Sequence, residues 1–115
     1  MGKPDVEIQT LTKGCNEAII LCFLEDGPKH GYQLALDSEA RAEGFFRFKH
    51  GTLYPILHKL EGQGLIKGSW SEEGPRGKRK RYGLTRKGRS YARRQRESWR
   101  IFIRRFLEVI GGEEQ

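Results

Sequence analysis

Histidine, cysteine and carboxylate side chains are the residues of this 115-residue chain that could do chemistry, but their spacing favours neither catalysis nor a metal site. Cys15 and Cys22 lie seven residues apart on one face of an expected helix, where they cannot bridge each other. His30, His50 and His58 have no neighbours at ligand spacing. No nucleophile with a base and no carboxylate pair accompanies them. We therefore expect no enzyme and no cofactor, and we expect both thiols in the core.

Cations form the second chemical pattern. Five of them occupy the six positions from Arg76 to Arg81, and the stretch from Arg76 to Arg105 holds fourteen Lys and Arg side chains against one acid, Glu97. Residues 1–75 carry eight cations against eleven acids, so the net charge of +7 comes from one third of the chain. Charge this concentrated favours a directed contact with a polyanion, either nucleic acid or an acidic membrane face. A solvated loop is the alternative, although such loops usually mix both signs.

Apolar runs are too short for a membrane protein. The longest, Ala18–Leu24, falls well below the ~20 residues that cross a bilayer, and no signal peptide is expected before the domain. Since no disulfide framework is expected, a cytoplasmic location is favoured. Nucleic acid is then the expected partner, with no membrane contact.

The elements that must position the basic run follow from periodicity and capping. Helices are expected over about residues 13–25, 30–44, 50–63 and 86–110, with strands over about 65–70 and 78–84. Thr12 and Thr85 are expected to cap the first and last helices. The aromatic connector Phe45, Phe46 and Phe48 is expected to plug the core. One apolar stripe is predicted on the third helix, formed by Leu53, Ile56, Leu57 and Leu60.

This order predicts a mainly α fold with a small β-hairpin. We expect a winged helix-turn-helix over residues 1–85, followed over residues 86–115 by a long C-terminal dimerisation helix and a short acidic tail. In that fold the third helix enters the major groove and the hairpin lies along the flanking backbone or minor groove. The predicted DNA contacts are Lys49, His50, Thr52, Tyr54, Pro55, His58, Lys59, Arg76, Lys78, Arg79 and Lys80.

The last helix has more large apolar side chains than a small winged domain would cover, and exposed patches of this size usually mark an interface. A homodimer is therefore expected. The predicted interface residues are Trp99, Phe102, Ile103, Phe106, Leu107 and Ile110.

Three segments resemble the PadR family of bacterial transcription regulators: HGYQL from residue 30, GTLYPILHKLEGQGLI from residue 51 and GPRGKRKRYGLTRKG from residue 74. The resemblance extends over about residues 11–107. It implies a homodimeric repressor that binds a dyad-symmetric operator in double-stranded DNA and is released by a small molecule.

The single C-terminal helix is similar to the compact branch of that family, and the segment RESWR at 96–100 resembles its multidrug-binding lactococcal members. The resemblance implies an effector pore at the dimer interface. Arg96 and Ile103 differ from the aromatic and acidic residues of those relatives, so an anionic or neutral aromatic effector is at least as plausible as a planar cation. Alternatively, Trp99 packs the dimer seam without a ligand. The implied pore residues are Ala18, Cys22, Ala92, Arg96, Trp99 and Ile103.

A second class of function is a nonspecific DNA- or RNA-binding module without an effector. It would keep the basic hairpin, but the aromatic residues mostly fall on core positions and not on the exposed platforms that single strands require. Binding that depends on salt but not on base sequence would favour this alternative.

Overall fold

The computed structural model describes residues 13–71 and 79–111 of the chain. Its elements in chain order are a 3-10 turn at Lys13–Cys15, helix α1 at Asn16–Leu24, strand β1 at Lys29–His30, helix α2 at Gly31–Ala40, a 3-10 turn at Ala42–Gly44, helix α3 at His50–Gly62, strand β2 at Ile66–Ser71, strand β3 at Arg79–Leu84 and helix α4 at Arg86–Ile110. None of the described helices combines the length and apolarity that a bilayer span requires.

The core forms around the predicted apolar stripe of α3. Leu53, Leu57 and Leu60 are completely buried, and Ile56 packs at the edge of the core. Side chains of α1, α2 and β2 close around this stripe, because each element places its own apolar face against it. The opposite face of α3 remains in solvent.

The sheet contains a strand that periodicity did not reveal. β3 lies in the middle, with β2 on one side and the two-residue β1 on the other, and both pairings are antiparallel. β1 is too short to show an alternating pattern. The helix predicted to start near His30 and Gly31 starts at Gly31, and His30 is its N-cap, with its backbone N–H donating to Gln33 Oε1 at 2.7 Å. β1 thereby ties the start of α2 to the middle strand.

The long helix α4 starts inside the domain and leaves it. Thr85 Oγ1 accepts a hydrogen bond from the Gly88 amide at 2.9 Å, as its predicted capping role requires, and Gly111 ends the helix with φ of +85°. Gly88 and Ala92 are buried, but the C-terminal half carries mostly exposed side chains. The helix is therefore anchored at its N-terminal end, and its other end presents its side chains to solvent.

Two predictions about core residues are wrong. In the aromatic connector only Phe48 is buried; Phe46 is half-buried and Phe45 is exposed, since the turn before them has no periodicity that would bring all three rings to one side. In α1 the exposed position is Cys22, while Cys15 is half-buried and burial raises the pKa of its thiol. The reason is that α1 is almost uniformly apolar, so its sequence does not indicate which side faces out.

Boundaries shift slightly elsewhere. The second helix ends at Ala40, four residues before the predicted end, because the chain enters a separate 3-10 turn in which Glu43 has φ of +54°. The expected cap of the first helix, Thr12, lies outside the described residues.

Candidate nucleic-acid interface

One face of α3 is free of the domain core. Thr52, Pro55 and His58 are exposed and recur at intervals of three residues, so they lie along one side of the helix. Lys49, also exposed, lies immediately before the first turn. The side chain of His50 is outside the described part of the chain. A helix with such a solvent-facing stripe has the dimensions that a major groove admits.

Two other predicted contacts on α3 have partners within the protein. Tyr54 is half-buried at the edge of the core with its hydroxyl against Gly31, so it lies on the border of the exposed face and not in its middle. Lys59 donates a 2.6 Å hydrogen bond to the Glu17 carboxylate on α1. That hydrogen bond and the charge of Glu17 raise the pKa of Lys59. The Lys59 charge is thus partly compensated from within the domain.

The hairpin of β2 and β3 is the wing. Its strands pair without interruption from Ile66 with Leu84 to Ser71 with Arg79. The predicted phosphate contacts Arg76 and Lys78 fall at its tip, outside the described residues. On the described part of the wing, the Arg79 guanidinium lies over the Tyr32 ring of α2, 4.9 Å from its centroid. This cation–π contact holds the basic strand against α2.

A carboxylate that the sequence analysis overlooked joins the wing to α3. Glu61, in the last turn of the helix, accepts from the Gly68 amide at 3.1 Å and from Lys80 Nζ at 3.2 Å. A side chain at Gly68 would overlap the aliphatic part of Lys80, so glycine leaves room for the lysine to cross the strand. Glu61 therefore connects the end of α3 to both strands of the wing, to β2 by a hydrogen bond and to β3 by an ion pair.

The charge state of Glu61 follows from these partners. Burial alone would raise the pKa of its carboxyl group, but the hydrogen bonds from Lys80 and from the Gly68 amide, with the charge of Lys80 and the electrostatic influence of His58, bring that pKa below its ordinary value. His58 precedes Glu61 by three positions, so the two residues lie on the same side of α3. The side of α3 that carries Thr52, Pro55 and His58 therefore leads to Glu61 and, through its contacts, to the wing.

Trp70 is a second residue that sequence reasoning missed. It follows Ile66 by four positions on β2, and its cross-strand partner on β3 is Lys80. The Lys80 ammonium lies 5.8 Å from the Trp70 ring centroid, and 66% of the tryptophan is exposed. The available signal was the strand alternation, which places positions 66, 68 and 70 on one sheet face.

The residues implied for an effector pore do not enclose a cavity within one chain. Ala92 is buried, and Arg96 on α4 binds the Glu25 carboxylate at 2.9 Å. Trp99 packs edge-to-face on Phe102, with their ring centroids 5.5 Å apart. A shallow hollow of about 320 Å³ lies beside these rings, lined by side chains of α4 alone. The other implied residues are on the surface or at its edge: Ala18 half-buried, Cys22 and Ile103 exposed.

The predicted dimer residues extend the stripe that anchors α4. Gly88, Ala92 and Trp99 lie on the side of α4 that faces the domain, and helical spacing carries the same side onward to the end of the helix. Along the C-terminal half of α4, none of the described residues buries this side of the helix. The exposed or half-exposed side chains on this continuation are Phe102, Ile103, Phe106, Leu107 and Ile110.

Within the described residues no group of three or more His, Cys, Asp or Glu side chains is arranged to hold a metal ion.

Solved structures share this architecture over nearly the whole chain. A transcriptional regulator from Clostridium thermocellum is 26% identical with a TM-score of 0.78, covering 90% of this chain and 97% of that one. A PadR family regulator from Clostridium difficile is 32% identical with a TM-score of 0.70, covering 84% and 97%. A PadR-like regulator from Bacillus cereus is 28% identical with a TM-score of 0.75, covering 90% and 99%. The predicted winged-helix fold class is confirmed.

Sequence comparisons agree. An uncharacterized protein from Lysinibacillus sphaericus is 27% identical over 89 residues, which are 77% of this chain and 82% of that protein. Residues 20–94 match the transcriptional regulator PadR-like family, and this span contains α2, α3, the wing and the start of α4. The predicted resemblance is thereby confirmed: the chain belongs to the PadR-like family of transcriptional regulators.

Proposed function

We propose that the chain is a homodimeric repressor that binds a dyad-symmetric operator and is released by a small aromatic effector. The observation that carries the proposal is the Glu61–Lys80 ion pair, which joins α3, the helix with the exposed face, to the basic wing. On such a surface α3 reads base edges in the major groove, while the cations of the wing neutralise phosphates. Transcriptional regulation is the activity of the family, and the repressor role is the finer step that we propose.

Dimerisation would supply a second α3 helix, which would bind the second half-site of the operator. The uncovered stripe of α4 is the surface we assign to it, because exposed apolar side chains of this number are usually buried by a partner. A two-fold axis beside α4 would place two α3 helices on the same side of a duplex. Half-sites about one helical turn apart are then expected.

Selection of bound duplexes from a random DNA library at two salt concentrations tests this function. We expect enrichment of an inverted repeat, with binding that weakens as salt rises because phosphate contacts release counter-ions. Strong, salt-sensitive binding without any enriched sequence would contradict the proposal. It would favour the nonspecific nucleic-acid module.

The effector would lie against Trp99. We expect planar aromatic anions or neutral compounds, with 2-naphthoate and 2-naphthol as first probes, to release the wild-type protein from its operator. Trp99→Ala should remain a dimer that binds the operator but should no longer respond to the probe, as measured by anisotropy of labelled DNA. Loss of the dimer in this variant would show that Trp99 packs in the dimer interface, and it would contradict the assignment of Trp99 to an effector site.

A further inference from the structure

We propose that Trp70 and Lys80 form a built contact for the sugar–phosphate backbone of duplex DNA at the junction between the wing and α3. The proposal rests on the proposed function and deepens it, since it adds Trp70, which no motif indicated, to the predicted contact Lys80 and assigns both to the backbone of one DNA strand. Glu61 is the positioning residue of this contact, and Gly68 provides the space in which it forms.

The side chains of the junction lie on one sheet face. Because successive residues of a strand alternate, Gly68 and Trp70 share a face, and the cross-strand pairing brings Lys80 to the same side. A side chain at Gly68 would approach the Glu61 carboxylate at 3.1 Å, so this is the face that looks toward the end of α3. Lys67 and Ser69 occupy the opposite face of the same strand. Trp70 is consequently exposed beside the recognition surface and not behind it.

The orientation of the lysine is held from two sides. Its ammonium group is 3.2 Å from Glu61 Oε1 and lies within 6 Å of two aromatic rings, those of Trp70 at 5.8 Å and Tyr82 at 5.5 Å. A long side chain held in this way loses less freedom when it binds a partner than a freely moving surface lysine would. One ammonium proton is donated to Glu61, and two remain for an external acceptor.

The chemistry of the pair fits a DNA strand. An indole provides an apolar face that packs on deoxyribose and one N–H that donates to a phosphate oxygen, while the lysine contributes the compensating charge. When a recognition helix lies in the major groove and the wing lies along the adjacent minor groove or backbone, the strand that separates the two grooves crosses between them. Trp70 and Lys80 lie at that crossing. A phosphodiester backbone is therefore the occupant that we assign.

Tryptophan fluorescence emission tests directly whether Trp70 contacts bound DNA. The chain contains two tryptophans, so the difference between wild type and Trp70→Phe reports position 70. We expect saturating operator duplex to change the emission of the wild-type protein and to leave that of Trp70→Phe nearly unchanged. Anisotropy of labelled duplex, recorded in the same titration, establishes that both proteins are bound. Equal emission changes in the two proteins would overturn the contact.

The affinity for operator DNA and its dependence on salt test the contributions of Trp70 and Lys80 separately. Trp70→Ala should weaken operator binding roughly tenfold, by loss of apolar contact and of a hydrogen bond to a charged acceptor, with the salt slope unchanged. Lys80→Gln should reduce that slope by about 0.9, the value for one phosphate contact. Lys67→Gln removes the same charge from the opposite sheet face and should leave the slope unchanged, as should Ser69→Ala.

These experiments separate failure of the contact from failure of the function. If the wild-type protein binds operator duplex while Trp70→Ala binds equally well, the assignment of Trp70 is wrong and the DNA-binding proposal stands. If Lys67→Gln and Lys80→Gln reduce the slope equally, the charge acts through the general field and the built contact is refuted. If the wild-type protein binds no duplex, both proposals fall together.

Discussion

At the scale of single residues, Glu61 makes two different kinds of contact. Its bond to the Gly68 amide satisfies a backbone donor at the start of the wing, while its contact with Lys80 is an ion pair with both side chains partly in solvent. Solvent screens the second contact far more than it weakens the first. The two contacts can therefore be separated by substitutions at a single position.

Substitution of Glu61 should show that difference. Glu61→Gln keeps an acceptor for the Gly68 amide and should lower the free energy of unfolding by less than about 1 kcal/mol. Glu61→Ala leaves that amide without its acceptor and should cost roughly 1–3 kcal/mol. Urea denaturation measures both, with Glu17→Gln as the control that breaks the surface pair with Lys59. Equal losses in the two Glu61 variants would mean that the amide hydrogen bond contributes nothing.

The pH dependence of this link has a definite sign. The folded-state pKa of Glu61 lies below its ordinary value, so the unfolded chain takes up the proton more readily than the folded one. The stabilisation is therefore complete above about pH 4.3, the ordinary value for a glutamate, and disappears as pH falls through the lower folded-state pKa. Denaturation of wild type and Glu61→Gln from pH 7 to pH 3 should give converging stabilities. Stabilities that diverge in acid would contradict this assignment.

At the scale of elements, the docking of α4 depends on close approach of two backbones. Gly88, in the first turn of the helix, lies against the Leu65 carbonyl, which also accepts from the Thr85 amide at 3.1 Å. Thr85 Oγ1 lies 2.7 Å from the Gly64 carbonyl and donates to it. The start of α4 is consequently fastened to the turn between α3 and the wing, so the helix that carries the proposed dimer surface is joined directly to the elements proposed to face DNA.

Gly88→Ala should disrupt that joint. An added methyl group would overlap the Leu65 carbonyl, which belongs to the backbone and cannot rotate away, so we expect a loss of roughly 2 kcal/mol in unfolding free energy. Gly62→Ala is the matched control, because that helical glycine has open space around it and alanine should stabilise α3 by about 0.5–1 kcal/mol. Thermal or urea denaturation compares the two. An unchanged free energy of unfolding in Gly88→Ala would mean that α4 can move away from the Leu65 carbonyl without loss of stability.

At the scale of the whole molecule, shape and surface point to an incomplete assembly. The described chain measures 51 × 32 × 21 Å, and the 25-residue α4 extends along roughly 37 Å of axis. Its domain-facing stripe continues past the domain as apolar surface, with Phe102 and Phe106 stacked at 5.8 Å between ring centroids. Arginines occupy the other side of the helix. The apolar face is the one that we assign to a second chain, and the arginine-rich face lies in solvent.

Two substitutions of similar exposure should separate those faces. Phe106 is 50% exposed on the stripe and Ile101 is 45% exposed on the opposite side of the helix. Phe106→Glu should dissociate the proposed dimer, since a carboxylate would be buried without a partner, whereas Ile101→Glu should leave it intact. Sedimentation velocity over a range of concentrations measures both. Dissociation by Ile101→Glu alone would place the interface on the other face.

The sequence by itself determined the four described α-helices and the two strands of the wing, because periodicity and capping are local: α4 begins after Thr85 and ends at Ile110 as predicted, and the leucine stripe of α3 lies in the core. It also located the basic wing and the family, since both depend on residue types in a fixed order.

Tertiary structure alone decided which side chains meet. The Glu61–Lys80 contact spans 19 positions, and no local pattern indicates that Lys80 reaches from Trp70 to Glu61 or that Lys59 is paired with Glu17. Cys22 and Phe45 were assigned to the core because uniformly apolar or irregular segments have no outward side until their neighbours are placed. Contacts between distant segments depend on how the elements pack, and packing is a property of the whole fold.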